Sequence, residues 1–111
     1  MNAIEFLKRQ HREIDALFDE LGQAETVATR DSVLVRLVRA VYVHTALEEE
    51  VFYPALRRAA TDPEPVLDAQ EEHGVITQTA RALLATHPSD PRFSPLARVL
   101  SRLVVRHVEV E

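Results

Sequence analysis

His44-Thr45-Ala46-Leu47-Glu48-Glu49-Glu50-Val51-Phe52-Tyr53-Pro54 interrupts an apolar helical stripe with a histidine and, four residues later, a glutamate. Upstream the stripe runs through Leu34, Leu37 and Val41, and downstream the period resumes it at Phe52 and Ala55. Steps of three and four put all of these on one helix face. His and Glu at i and i+4 share that face. A polar pair therefore stands where the pattern asks for burial, and such groups cost several kcal/mol each in dry surroundings unless satisfied.

The same interruption recurs along the chain. His107 is followed four residues later by Glu111; His11 precedes His44 by 33 residues, and His73 precedes His107 by 34. His11 fills the gap in the stripe Ile4, Leu7, Ile14, Phe18, Leu21, and His73 the gap in Val66, Ala69, Ile76, Ala80, Leu83. His107 and Glu111 continue Leu96, Leu100 and Leu103. Breaker clusters at Gly22–Thr26, Thr61–Pro65 and His87–Pro95 separate the stripes, which predicts helices over roughly 3–21, 30–60, 65–86 and 94–111. Asn2 with Glu5 reads as a capping box, Gly22 suits the residue after a helix, Thr29 or Asp31 caps the second helix, and Ser94 before Pro95 caps the fourth. Short connections make neighbours antiparallel. The expected fold is an all-α, up-down-up-down four-helix bundle forming a single domain over residues 1–111.

Bulk composition narrows the chemistry. The chain has 111 residues, 46% hydrophobic and 28% charged, and a net charge of −5. A nucleic-acid partner is not expected, since phosphate binding needs a basic face. Cysteine is absent, so thiolate sites and disulfides are excluded and any metal must be held by N and O donors. No apolar run approaches the ~20 residues of a membrane span, and the start, MNAIEFLKRQHREID, turns charged too early for a signal peptide. Cytoplasmic localisation is expected, with no membrane partner.

Four seams that converge on one bundle axis bring their polar interruptions together, and two cations at that axis satisfy all six groups. Imidazole suits iron, zinc, copper and nickel, and a carboxylate can bridge two ions. The residues three before each seam histidine are Lys8, Val41, Gln70 and Val104, so the Glu-x-x-His motif of ferritin-like bundles is absent. The zinc-protease pattern His-Glu-x-x-His and calcium loops are absent too. Glu49 and Glu50 turn away from Glu48 toward solvent or a partner, and His87, before Pro88, reads as a surface residue.

The stretches HREID at 11–15, HTALEEEVFYP at 44–54, EEHGVI at 71–76 and HVEVE at 107–111 resemble the hemerythrin-like, or HHE cation-binding, family. The resemblance covers essentially the whole chain. It implies an antiparallel four-helix bundle around a non-haem di-iron centre with an oxo, hydroxo or water bridge. His11 and His44 would bind one iron, His73 and His107 the other, and Glu48 and Glu111 would bridge them. Manganese and zinc suit the same donors. The family's oxygen carriers have a further histidine at the position of Thr77, so this chain is expected to be nearer the bacterial and sensor members. Glu111 ends the chain, whereas the second helix continues past Glu48. A ligand on a fraying last turn is poorly held, which predicts a longer native chain and, for this form, a homodimer or a partly metal-depleted site.

Around this shell, Asp15 and Glu72 are candidate acceptors for the outer N–H groups of His11 and His73. Tyr42 and Tyr53 are expected to pack rather than to act on a ligand, and Pro54 to kink the second helix just beyond Glu48. The expected function is a di-iron domain that binds or reacts with O2, NO or peroxide in sensing or redox and stress defence. An enzyme would also need an electron source, and the sequence carries no flavin or second redox motif. The alternative is an iron-handling or metal-stabilised regulatory module without redox turnover.

Overall fold

The computed structural model describes residues 2–59 and 61–110, without the side chains of residues 3, 109 and 110. Helices α1 (Ala3–Gln23), α2 (Val27–Leu47), α3 (Tyr53–Ala59), α4 (Glu64–Leu84) and α5 (Phe93–Val110) account for most of it. A π-helical turn, Glu48–Phe52, joins α2 to α3 in one continuous rod, so four rods remain. Each rod packs on two neighbours: α1 on α2 and α5, and α4 on α2 and α5, which closes the ring of a four-helix bundle. No strand occurs among the described residues, and none of their helices is long and apolar enough to cross a membrane.

The rod starts follow side-chain caps. Asn2 accepts from the Glu5 amide at 2.8 Å. The second rod begins earlier than its stripe predicts, because the Thr26 hydroxyl accepts from the Thr29 amide at 3.1 Å; Thr26, rather than Thr29 or Asp31, is the cap. Likewise α5 starts at Phe93 rather than after Ser94, with the Asp90 carboxylate accepting from the Arg92 amide at 2.8 Å. Gly22 lies inside α1 with ordinary helical handedness, and Ala24 ends that helix by donating to Leu21 O.

The largest departure is in the second rod. A regular helix continues the stripe from Glu48 to Phe52 and Ala55, but Ala55 is exposed, Phe52 is only half-buried, and Tyr53 is buried at 3% exposure. Pro54 supplies the reason. It has no N–H to donate, and its ring clashes with the carbonyl one turn back. The expected kink appears as a widened turn in which the Tyr53 amide donates to Glu48 O, five residues back rather than four. One residue is added to that turn, so Tyr53 takes the inward place that Phe52 would hold.

Burial divides the bundle lengthwise. Toward the α1–α2 and α4–α5 connections the interior is apolar: Ile14, Leu21, Leu34, Leu37, Val41, Ile76, Leu83, Phe93 and Leu100 form one cluster. Arg30 ties the two connections together, donating to Ala24 O and to Pro88 O at 3.2 Å each. Toward the other end Gln10, His44, Thr45, Glu48, Tyr53, His73 and His107 are buried, together with the apolar Val66. His87 is exposed and bonds Ser89, as a surface residue does.

Candidate metal centre

Each rod delivers its inward polar group to this second half. His11 on α1 is half-buried; His44, Glu48, His73 and His107 are buried, with His73 fully enclosed. Two groups of donor atoms result, each within 4.8 Å of one another: His11, His44 and Glu48, and Glu48, His73 and His107. Glu48 belongs to both. Five of the six predicted donors thus converge, and Glu111 lies outside the described residues.

In the first group, His44 Nδ1 is 2.7 Å from Gln10 Oε1, so the Nδ1–H donates to that carbonyl and Nε2 carries the lone pair. That lone pair faces His11 Nε2 at 2.9 Å and Glu48 Oε1 at 2.5 Å. Nitrogen lone pair against carboxylate oxygen at this separation repels unless a proton or a metal ion lies between them.

In the second group, the His107 Nδ1–H donates to Glu72 Oε2 at 3.0 Å, which leaves Nε2 as an acceptor. The Tyr53 O–H donates to that nitrogen at 3.1 Å, and the phenol oxygen accepts from the His73 Nε2–H at 3.0 Å. His73 Nδ1 is then left with a lone pair, buried and without a hydrogen-bond partner, 3.6 Å from Glu49 Oε1. A cation on the Nε2 side resolves the conflict: the hydrogen moves to Nδ1, where it faces a carboxylate, as metal-bound imidazoles normally arrange it.

The distances fit an ion as well. Two donors at right angles, each ~2.1 Å from a metal, stand ~3.0 Å apart. The separations of 2.9 Å between His11 and His44, and of 3.0 and 3.1 Å from Tyr53 to the two imidazoles, have that length. The donor set is imidazole and oxygen only, suited to iron, manganese or zinc.

Beside the centre lies a cavity of about 310 Å³. Leu7, Phe52, Val66 and Ala69 give it apolar walls, and Glu48, Tyr53 and His107 form part of its lining. A small neutral molecule can enter here with little desolvation cost.

The outer contacts differ from expectation. Asp15 is exposed, and the buried acceptor at this end of α1 is Gln10, which serves His44. Glu72 reaches across to His107 rather than to its neighbour His73, which instead faces Glu49. Gln10 stands one residue off the His11 stripe, and no sequence signal marks it. Tyr53 was expected only to pack; its signal was Pro54, read as a kink but not as a register shift.

The pattern of the hemerythrin HHE cation binding domain matches residues 2–111. The chain is 27% identical over 113 residues to a DNA nickase of Nostoc sp. and spans 31% of that protein's length. It is 27% identical over 112 residues to uncharacterized proteins of Mycobacterium tuberculosis and Mycobacterium bovis, spanning 68% of each. No solved structure matches it significantly.

Proposed function

We propose, from the premise that this chain belongs to the hemerythrin HHE cation-binding family, that it is a non-haem di-iron domain whose centre binds or reacts with O2, NO or peroxide in sensing or redox defence. The observation that carries this reading is Glu48, one buried carboxylate common to two imidazole pairs. Bound iron would supply a change of oxidation state and a place for a small ligand.

The chain's own residues do the rest. His11 and His44 would hold one ion, His73 and His107 the other, with Glu48 between them and Glu111 as a further bridge. Gln10 and Glu72 fix His44 and His107 with Nε2 turned inward. The cavity walls of Leu7, Phe52, Val66 and Ala69 favour neutral molecules over anions. Glu48 adds to that discrimination, since a buried carboxylate repels an anion that approaches from the same side.

The second reading, a metal-stabilised regulatory module, draws on the Nostoc protein, of which this chain matches about a third. A domain of this size attached to another activity fits a role in which iron props up the fold. The net charge of −5 does not favour DNA contact by this chain itself.

Anaerobic loading with ferrous iron, then optical spectra after O2, NO or peroxide, tests the proposal. Two irons per chain and a spectrum that changes and is restored by a reductant are expected. Two irons with an inert spectrum would favour the regulatory module, and failure to take up iron would remove both readings.

A further inference from the structure

The two halves of the centre are not chemically equal, and the difference is Tyr53. The His11–His44 group brings together two imidazoles and the Glu48 carboxylate. On the other side the phenol oxygen stands 3.0 Å from His73 Nε2 and 3.1 Å from His107 Nε2, the same two nitrogens that face the cluster. The side chain is 3% exposed.

The backbone is arranged to put it there. Along a regular α-helix, residues five apart point about 140° away from each other. Glu48 and Tyr53 are five apart, yet both face the cluster, because the turn between them is π-helical and closes with Tyr53 N–H donating to Glu48 O. π-Turns are rare and concentrate at functional sites.

We infer that Tyr53 is a metal ligand, supplying a phenolate oxygen to the ion held by His73 and His107. This rests on the metal-centre reading above. As the metal–oxygen bond forms, the phenol proton leaves to solvent, as happens when metals bind protic donors. A hard anionic oxygen favours a trivalent over a divalent ion, so this half of the centre holds ferric iron more tightly than the His11–His44 half. The two ions are therefore spectroscopically distinct.

The test uses the full chain, loaded with ferrous ammonium sulfate without oxygen and then oxidised with ferricyanide. Iron content is measured first and separately. Resonance Raman excitation in the visible then reads tyrosinate modes. The chain has only two tyrosines, so Tyr42→Phe and Tyr53→Phe resolve the assignment. Expected are iron in the parent protein, a phenolate-to-iron band with its tyrosinate modes, their persistence in Tyr42→Phe, and at least a tenfold loss in Tyr53→Phe. Iron bound without the band, or the band lost in Tyr42→Phe and kept in Tyr53→Phe, overturns the assignment while leaving the metal centre standing. A parent protein that takes up no iron overturns the centre itself. Should Tyr53→Phe fail to fold, the parent spectrum and Tyr42→Phe still decide, since tyrosinate modes that survive removal of Tyr42 arise from Tyr53.

Discussion

The two halves of the bundle interior are built on the same four rods and hold together by different forces. At the end near the α1–α2 and α4–α5 connections, Leu34, Leu37, Leu83 and Leu100 are almost wholly buried against one another. Their contribution is non-directional and needs no partner beyond good packing. At the other end His44, Glu48, Tyr53, His73 and His107 are buried just as deeply. There each group must be satisfied in direction as well as in proximity, and His73 Nδ1 is buried without a hydrogen-bond partner. The first half folds the chain. The second depends on directed contacts between groups from all four rods.

That contrast can be broken most forcefully at Leu37, which is fully buried in the apolar half. Leu37→Ala should destabilise the protein by about 2–5 kcal/mol, measured by denaturant unfolding, with and without metal alike. Iron per folded chain should stay unchanged; a loss of iron would mean the halves are not separable.

Metal removal probes the other half. A cation at a hundred times its Kd stabilises the folded state by about 2.7 kcal/mol. Chelation should therefore lower the melting temperature, and amide exchange should accelerate first around residues 44–53 and 73 while Leu34 and Leu37 stay protected. Uniform acceleration along all four rods would contradict a local effect. His73→Ala should lower iron from two per chain to one, and His11→Ala should do the same through the other ion. Retention of full stoichiometry in His73→Ala would count against the ligand set.

Smaller effects sharpen the division. Gln10→Leu keeps the packing volume but removes the acceptor for the His44 Nδ1–H. Loss of such an outer partner weakens metal affinity by roughly 10–100-fold. A titration with ferrous iron checks this, and an unchanged affinity would mean that Gln10 only fills space. Thr26→Ala, at the cap of α2, should cost about 1 kcal/mol with no change in iron binding.

Much of this is legible in the sequence. The period of three and four carried His44 and Glu48 inward with Leu34, Leu37 and Val41, and it carried His73 inward with Ile76, Ala80 and Leu83. On α5 it was less reliable: Phe93, Leu100 and Val104 are buried while Leu96 and Leu103 are only partly buried against them, and the adjacent Leu103 and Val104 share that face. Beyond Glu48 the extrapolation ended at Pro54, since a periodic reading assumes a regular helix. The outer acceptors were poorly legible. Gln10 and Glu72 reach histidines on other rods, and neither partnership follows from spacing within one helix.

From its residues alone, this chain specified four rods, the inward faces of those rods and the donors that interrupt them, because each is a property of local period and composition. Which nitrogen of each imidazole turns inward, which carboxylate is shared, and the arrival of Tyr53 between His73 and His107 were decided in three dimensions. Those outcomes depend on distances between separate helices and on one extra residue in a turn. Neither is encoded at any single position.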